Sequence, residues 1–217
     1  MLREVRVYPL FRAWVGQAVS PAFAMPEYRR KLPHFHPDGA YLFVTWRLWG
    51  SLPHQFLPAK PAAPGHAFVL VDRRLDRTTS GPVWLRDPAI ASLVVETLHI
   101  GERERDFYEL GAWVVMPNHV HLLVLPNTSL PVITRWLKGS TARQANLQLA
   151  RIGQPFWQDE SYDHWVRNEK EFNRITNYIE ENPVSAGLVR SSELWPWSSA
   201  GWQAKPPAPP LLSPVQM

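Results

Sequence analysis

The chain contains no cysteine. That excludes a disulfide framework, a thiolate nucleophile, and any zinc or iron–sulfur site ligated by sulfur. A metal here would have to be held by His, carboxylate, amide or water. Long apolar runs are missing too. Nothing approaches the roughly 18 uninterrupted apolar residues that a bilayer-spanning helix needs, so no membrane contact is expected. Arg3, Arg6 and Arg12 break up the first residues, and no signal peptide is expected either. These absences suit a protein of a reducing cytoplasm. Lysine is scarce: Arg outnumbers it 18 to 5.

What is present is an ordinary apolar content of 45% in 217 residues, enough for one domain with extensions. The net charge is +4 and the sequence pI about 9.6. A basic balance favours a polyanion, usually nucleic acid, because neutralising phosphates releases counterions. Arginine suits bidentate phosphate and guanine contacts, although a GC-rich genome produces the same bias. The 11 Trp can either stack on unpaired bases or serve the core.

Periodicity yields an ordered set of elements. Residues 1–27 show no clean period. Tyr28-Arg29-Arg30-Lys31 is a basic patch, and His34 and His36 form a His-x-His between prolines, which marks a loop. Tyr41–Trp49 reads as a strand, residues 50–66 as a Pro-rich loop, and Arg73, Arg74 and Arg77 as a basic surface. Asp87-Pro88 starts a helix that carries Ile90, Leu93, Val94, Thr97 and Leu98 and closes in Glu102–Asp106. Two strands follow, Tyr108–Met116 and His119–Leu125, with Pro117-Asn118 turning between them. A second helix runs from about Ser129 to Ala150 with an interruption at Gly139, and a short strand is placed at Ser161–Val166. The order is β–α–β–β–α–β plus one more helix. It predicts an α+β ferredoxin-like sandwich, an antiparallel sheet with both helices on one face and the histidine hairpin central.

Three groups of side chains carry candidate chemistry. His119 and His121 project from one face of their strand, so they can hold one metal ion or be a hydrogen-bonded pair at a strand edge. Arg135, Lys138 and Arg143 fall roughly on one side of the second helix, as a solvated face or a groove that tracks phosphates. Asn168 and Glu171 have capping-box spacing for the last helix, whose buried stripe is Phe172, Ile175 and Ile179. Arg174, Tyr178 and Asn182 stack in one file beside that stripe, and Asn182-Pro183 is expected to end the helix. Tyr178 is either an amphipathic core residue or a nucleophile for a phosphodiester. Asn182 then stands where it can complete a metal site or bind a phosphate oxygen, and Arg174 where it can stabilise phosphate charge.

Several stretches resemble one family: Tyr28-Arg-Arg-Lys-Leu-Pro-His34, Tyr41–Pro53, Trp113-Val-Val-Met-Pro-Asn-His-Val-His121, Leu137-Lys-Gly-Ser-Thr-Ala142, Phe156–His164, Tyr178-Ile-Glu-Glu-Asn-Pro through Val189, and Trp197-Ser-Ser-Ala200. They look like the single-tyrosine HUH transposases, in particular the REP-associated tyrosine transposases found beside palindromic repeats in bacterial genomes. The likeness covers about residues 28–202. It implies a catalytic domain at 28–202, while the aperiodic residues 1–27 read as an extension and the Pro-rich 203–217 as a disordered tail.

The resemblance also implies a mechanism. His119 and His121 would bind Mg²⁺ or Mn²⁺ against the scissile phosphate of single-stranded DNA. Tyr178, on the C-terminal helix, would attack to form a 5′-phosphotyrosine and free a 3′-hydroxyl. Arg29, Arg30, Lys31, Arg135, Lys138 and Arg143 would contact the DNA, a hairpin beside the cleavage site. The protein would act at the nucleoid as a monomer or homodimer. Insertion-sequence relatives carry Gln where this chain has the shorter Asn182. Asp163 and His164 are alternative ligands, though structural roles are expected for both because they face opposite ways on their strand. Two other readings keep the fold: a hairpin-binding regulator without catalysis, and a metal phosphodiesterase that uses activated water.

Overall fold

The structure, a computed structural model, describes residues 37–52, 72, 75–76 and 81–204. Its elements run β1 (Leu42–Arg47), α1 (Pro88–Arg103), β2 (Tyr108–Val115), β3 (His119–Pro126), α2 (Leu130–Gln148), β4 (Tyr162–Trp165), α3 (Glu169–Ser185) and α4 (Ser199–Ala204). Asp72, Leu75 and Asp76 are helical. Arg29, Arg30, Lys31, His34, His36, Arg73, Arg74 and Arg77 lie outside the described residues, as do the extension at 1–27 and residues 205–217.

The four strands form one antiparallel sheet in the order β2-β3-β1-β4. This is the α+β, ferredoxin-like arrangement expected. Only half of the histidine hairpin is central, however: β3 lies inside the sheet and β2 at its edge. The connection accounts for it, because β1 pairs with β3 and leaves β2 a single partner. The outer side of β2 is still covered. Val115 N–H donates to Trp197 O (2.8 Å) and Trp113 N–H to Ser199 Oγ (3.2 Å), so the segment leading into α4 and its first residue close the edge.

Alternation divides the sheet into two faces. Leu42, Val44 and Trp46 of β1, Trp113 and Val115 of β2, and Val120, Leu122 and Val124 of β3 point to one core. Ile90, Val94 and Leu98 of α1 and Ile133, Leu137 and Ala145 of α2 cover it, so both helices share a face as expected. Phe43, Thr45, His119 and His121 point the other way, where α3 lies across β2 and β3. Trp46, Trp113 and Trp157 are buried, and five further Trp pack around the core. At about 1.5–3 kcal/mol for each large apolar side chain buried, these rings serve mainly to hold the fold.

Local chemistry explains most boundaries. Asp87 caps α1 by accepting from Ala89 N–H (2.9 Å), with Pro88 in the first turn. Asn168 accepts from Glu171 N–H (2.9 Å), but the Glu171 carboxylate reaches back to Arg167 N–H (2.9 Å), one residue beyond an ordinary capping box. Two expectations need correction. Gly139 does not interrupt α2, because Ile133, Leu137, Thr141 and Ala145 anchor both halves of it to the core. Nor does Pro183 end α3, which continues to Ser185. So near the terminus the missing N–H costs one bond, and the backbone recovers through Ala186 N–H to Asn182 O and Leu188 N–H to Pro183 O (both 2.9 Å). Among the described residues no helix is long and apolar enough to cross a membrane.

Candidate metal centre and tyrosine

His119 and His121 sit on the central strand with no exposed surface. Each has a neutral partner on Nδ1. His119 Nδ1–H donates to Asn118 Oδ1 (2.6 Å), and His121 Nδ1 lies 2.7 Å from Thr45 Oγ1 across the β1–β3 register. Partners of this kind set the tautomer and turn Nε2 toward the position a metal would take. The two Nε2 atoms point at one another, 3.1 Å apart.

A third donor comes from a residue that sequence reasoning did not single out. Asp72 is 2% exposed, and its Oδ1 lies 3.2 Å from His121 Nε2 and 3.6 Å from His119 Nε2. The ligand atoms of Asp72, His119 and His121 all fall within 4.8 Å of one another. Asp76 stands behind, with Oδ1 3.8 Å from His119 Nε2. Asn118 ties this carboxylate segment to the histidine strand, because its Nδ2 donates to Leu75 O (3.1 Å). The one available signal was the spacing of Asp72 and Asp76, which places them on one face of a helix. It was masked by Arg73, Arg74 and Arg77, which made the stretch read as basic surface.

The electrostatics favour a cation. Burial and then the neighbouring His121 push the His119 pKa down to about 3, an effect that the Asp72 carboxylate only partly offsets. Burial raises Asp72, but the two imidazoles and an Asn182 hydrogen bond outweigh it and hold the carboxyl below its usual range. A neutral imidazole and an ionised carboxylate thus aim lone pairs into one small volume beside the second imidazole. Nitrogen and oxygen donors of this set fit a divalent ion.

α3 brings Tyr178 and Asn182 to the same place. The half-buried Tyr178 ring packs edge-on to His121 (5.6 Å between centroids) and to Phe43 (6.1 Å). Asn182 is 2% exposed, with Nδ2 3.4 Å from His121 Nε2 and Oδ1 buried without a hydrogen-bond partner. An orphaned amide oxygen beside convergent lone pairs is what an absent cation would leave.

Other expected residues are committed elsewhere. Arg174 is exposed and pairs with Glu171 (3.2 Å), one turn back along α3. His164 shares the histidine face, but its Nε2 lies 3.1 Å from Glu171 Oε1, a structural role. Asp163 is in register with Val44 and so belongs to the opposite face. Lys138 Nζ donates to Gln158 O and Asp159 O, both at 2.9 Å, and holds the loop before β4. Arg135 and Arg143 are exposed on α2.

Residues 93–182 match the family described as "Transposase IS200 like". A REP-associated tyrosine transposase of Escherichia coli (strain K12) is 35% identical over 100 residues, 45% of this chain and 57% of that protein. The chain therefore matches little more than half the length of that curated relative. A solved REP-associated tyrosine transposase bound to a REP hairpin is also similar, with 24% identity and a TM-score of 0.47 over 80% of this chain and 82% of that one. The span that matches the IS200-like transposase family holds His119, His121, Tyr178 and Asn182, and the chain is similar to REP-associated tyrosine transposases.

Proposed function

We propose that the protein is a metal-dependent single-stranded DNA endonuclease and strand transferase that cleaves beside DNA hairpins. Tyr178 forms a 5′-phosphotyrosine. The observation that carries this reading is the packing of Tyr178 against His121, whose Nε2 faces both His119 Nε2 and Asp72 Oδ1. The nucleophile and the cation-holding group are therefore adjacent.

His119, His121 and Asp72 would hold the cation, with Asn182 beside them. Mg²⁺ or Mn²⁺ suits that donor set. Such an ion, when bound, withdraws charge from a phosphate oxygen. Tyr178 Oη attacks phosphorus, a P–O bond to Tyr178 forms and the P–O3′ bond breaks. The phenolic proton ends on the departing 3′-oxygen, so bond count and charge balance. The reverse step rejoins ends without an added energy source, because the phosphotyrosine conserves the phosphodiester bond.

Hairpin DNA as the partner is supported by the solved relative, which is bound to one. Arg135 and Arg143, exposed on α2, are the described cations best placed for phosphates, while Arg29, Arg30 and Lys31 remain a proposed second patch. Residues 28–202 form the proposed catalytic unit, acting on the nucleoid of a bacterial cytoplasm.

The test is a denaturing gel of labelled hairpin single-stranded DNA incubated with protein and Mn²⁺. A covalent adduct is expected, lost in Tyr178→Phe while Mn²⁺ affinity is kept. Cleavage that survives Tyr178→Phe would transfer the site to a water-using phosphodiesterase. Tight binding without cleavage would make it a regulator.

A further inference from the structure

One cation on the histidine face has no role in this scheme. Register places Arg47 of β1 directly opposite His119 of β3. Alternation puts its side chain with Phe43 and Thr45, the residues that stack on and bond to His121. Cross-strand neighbours lie roughly 5 Å apart at Cβ, and an Arg side chain is longer than that gap. The guanidinium can therefore reach the space in front of His119.

Its own contacts leave that group underused. Arg47 is half-buried, and Nη1 donates to Ser51 Oγ at a long 3.3 Å. Ser51 gives its hydroxyl proton to Leu48 O (2.8 Å), so it serves Arg47 only as a neutral acceptor. Among the described residues no carboxylate pairs with Arg47. Asp72 and Asp76 are directed to the histidines instead. Burial lowers the Arg47 pKa, the mark of a cation that has lost water. A planar guanidinium with five donors, partly desolvated and lacking an anion, is suited to a phosphate.

We infer that Arg47 is the phosphate-binding cation of the His119, His121 and Asp72 site and takes a non-bridging oxygen of the phosphodiester seated there. This rests on the proposed function, in which a phosphodiester lies at that site. Arg174, expected from sequence to fill the role, is held at the surface by Glu171. A bland reading competes: Arg47 packs its stem on the sheet and shows its head to solvent.

The two differ in a measurement that needs no turnover. Full-length protein is loaded with Mn²⁺, the affinity being read from the electron paramagnetic resonance of the free ion. Inorganic phosphate is then titrated in, and its binding is followed by ³¹P relaxation, which the paramagnetic ion enhances. In Arg47→Gln the phosphate affinity is expected to fall by about tenfold or more, as for a lost charge-assisted bond, with Mn²⁺ affinity within about twofold of the unsubstituted protein. Arg47→Lys keeps the charge without the fork and should fall between the two. Unchanged phosphate affinity in Arg47→Gln overturns the proposal, and so does an unsubstituted Mn²⁺-loaded protein that binds no phosphate. If Arg47→Gln misfolds, Arg47→Lys decides. Loss of Mn²⁺ binding there too would make Arg47 structural, whereas loss of phosphate alone supports the inference. The tyrosine reading fails separately, on the adduct gel, because phosphate binding does not depend on Tyr178.

Discussion

Asp72 shows what one buried carboxylate does for a pair of histidines. Imidazole nitrogens offer a cation lone pairs but no charge, and an ionised Asp72 within 3.6 Å of both rings supplies it. Asp72→Asn keeps the shape and removes the charge. Its Mn²⁺ affinity, read by calorimetry, is expected to drop by at least the roughly 10- to 100-fold that a lost supporting partner costs, with the circular dichroism unchanged. Retained affinity would mean that the histidines and Asn182 hold the ion unaided. A second residue-scale consequence concerns pH. His119 has a folded pKa of about 3 against 6.5 in the unfolded chain, so across that interval the unfolded state takes up the proton. Metal-free protein is thus at full stability above about pH 6.5 and loses it as the pH falls toward 3, by at most about 5 kcal/mol. Asp72, whose folded pKa is depressed, adds a loss only below its own unfolded value of 3.8. Urea midpoints of chelator-treated protein should fall steadily between about pH 6.5 and pH 4. A flat profile would contradict a neutral, buried His119.

At the scale of elements, α2 carries a glycine it does not need. Gly139 is exposed within the helix, and an added Cβ would meet nothing within 4 Å. Gly139→Ala should stabilise the protein by about 0.5–1 kcal/mol, because alanine has less backbone freedom to lose. Thermal denaturation checks it, and a lowered midpoint would show that the glycine serves a contact outside the described residues. Element types were readable from the sequence wherever one face is buried. β1, β3 and the stripe Phe172, Ile175 and Ile179 have periods set by the core, and the tyrosine file on α3 follows from that stripe. Gly139 and Pro183 misled because local propensity was weighed without the tertiary anchors around them. Asp72 escaped for a different reason. Its contact with His119 spans 47 positions of chain, from 72 to 119, and no local pattern records such a contact.

The whole molecule depends on closing its sheet. β2 is an edge strand, and its outer ladder is taken up by Trp197 and Ser199. A variant ending at Leu194 removes both partners and bares those groups, a template for pairing with another chain. Light scattering on warming should show aggregation at a lower temperature than for the full chain. Equal onset would mean that β2 protects itself. The β–α–β–β–α–β order was legible because it needs only element types in sequence, whereas this edge cover was not, since a Trp-Ser-Ser segment has no period.

The donor set itself draws on segments far apart along the chain, at Asp72, at His119 with His121, and at Asn182. No single element holds them all. A chain in which β1 has not met β3, or in which α3 has not docked, offers a cation only scattered weak ligands. Under the proposed function, cutting DNA is therefore conditional on complete folding. On that proposal a half-folded chain, which would otherwise be a loose nuclease, is disarmed by its own topology.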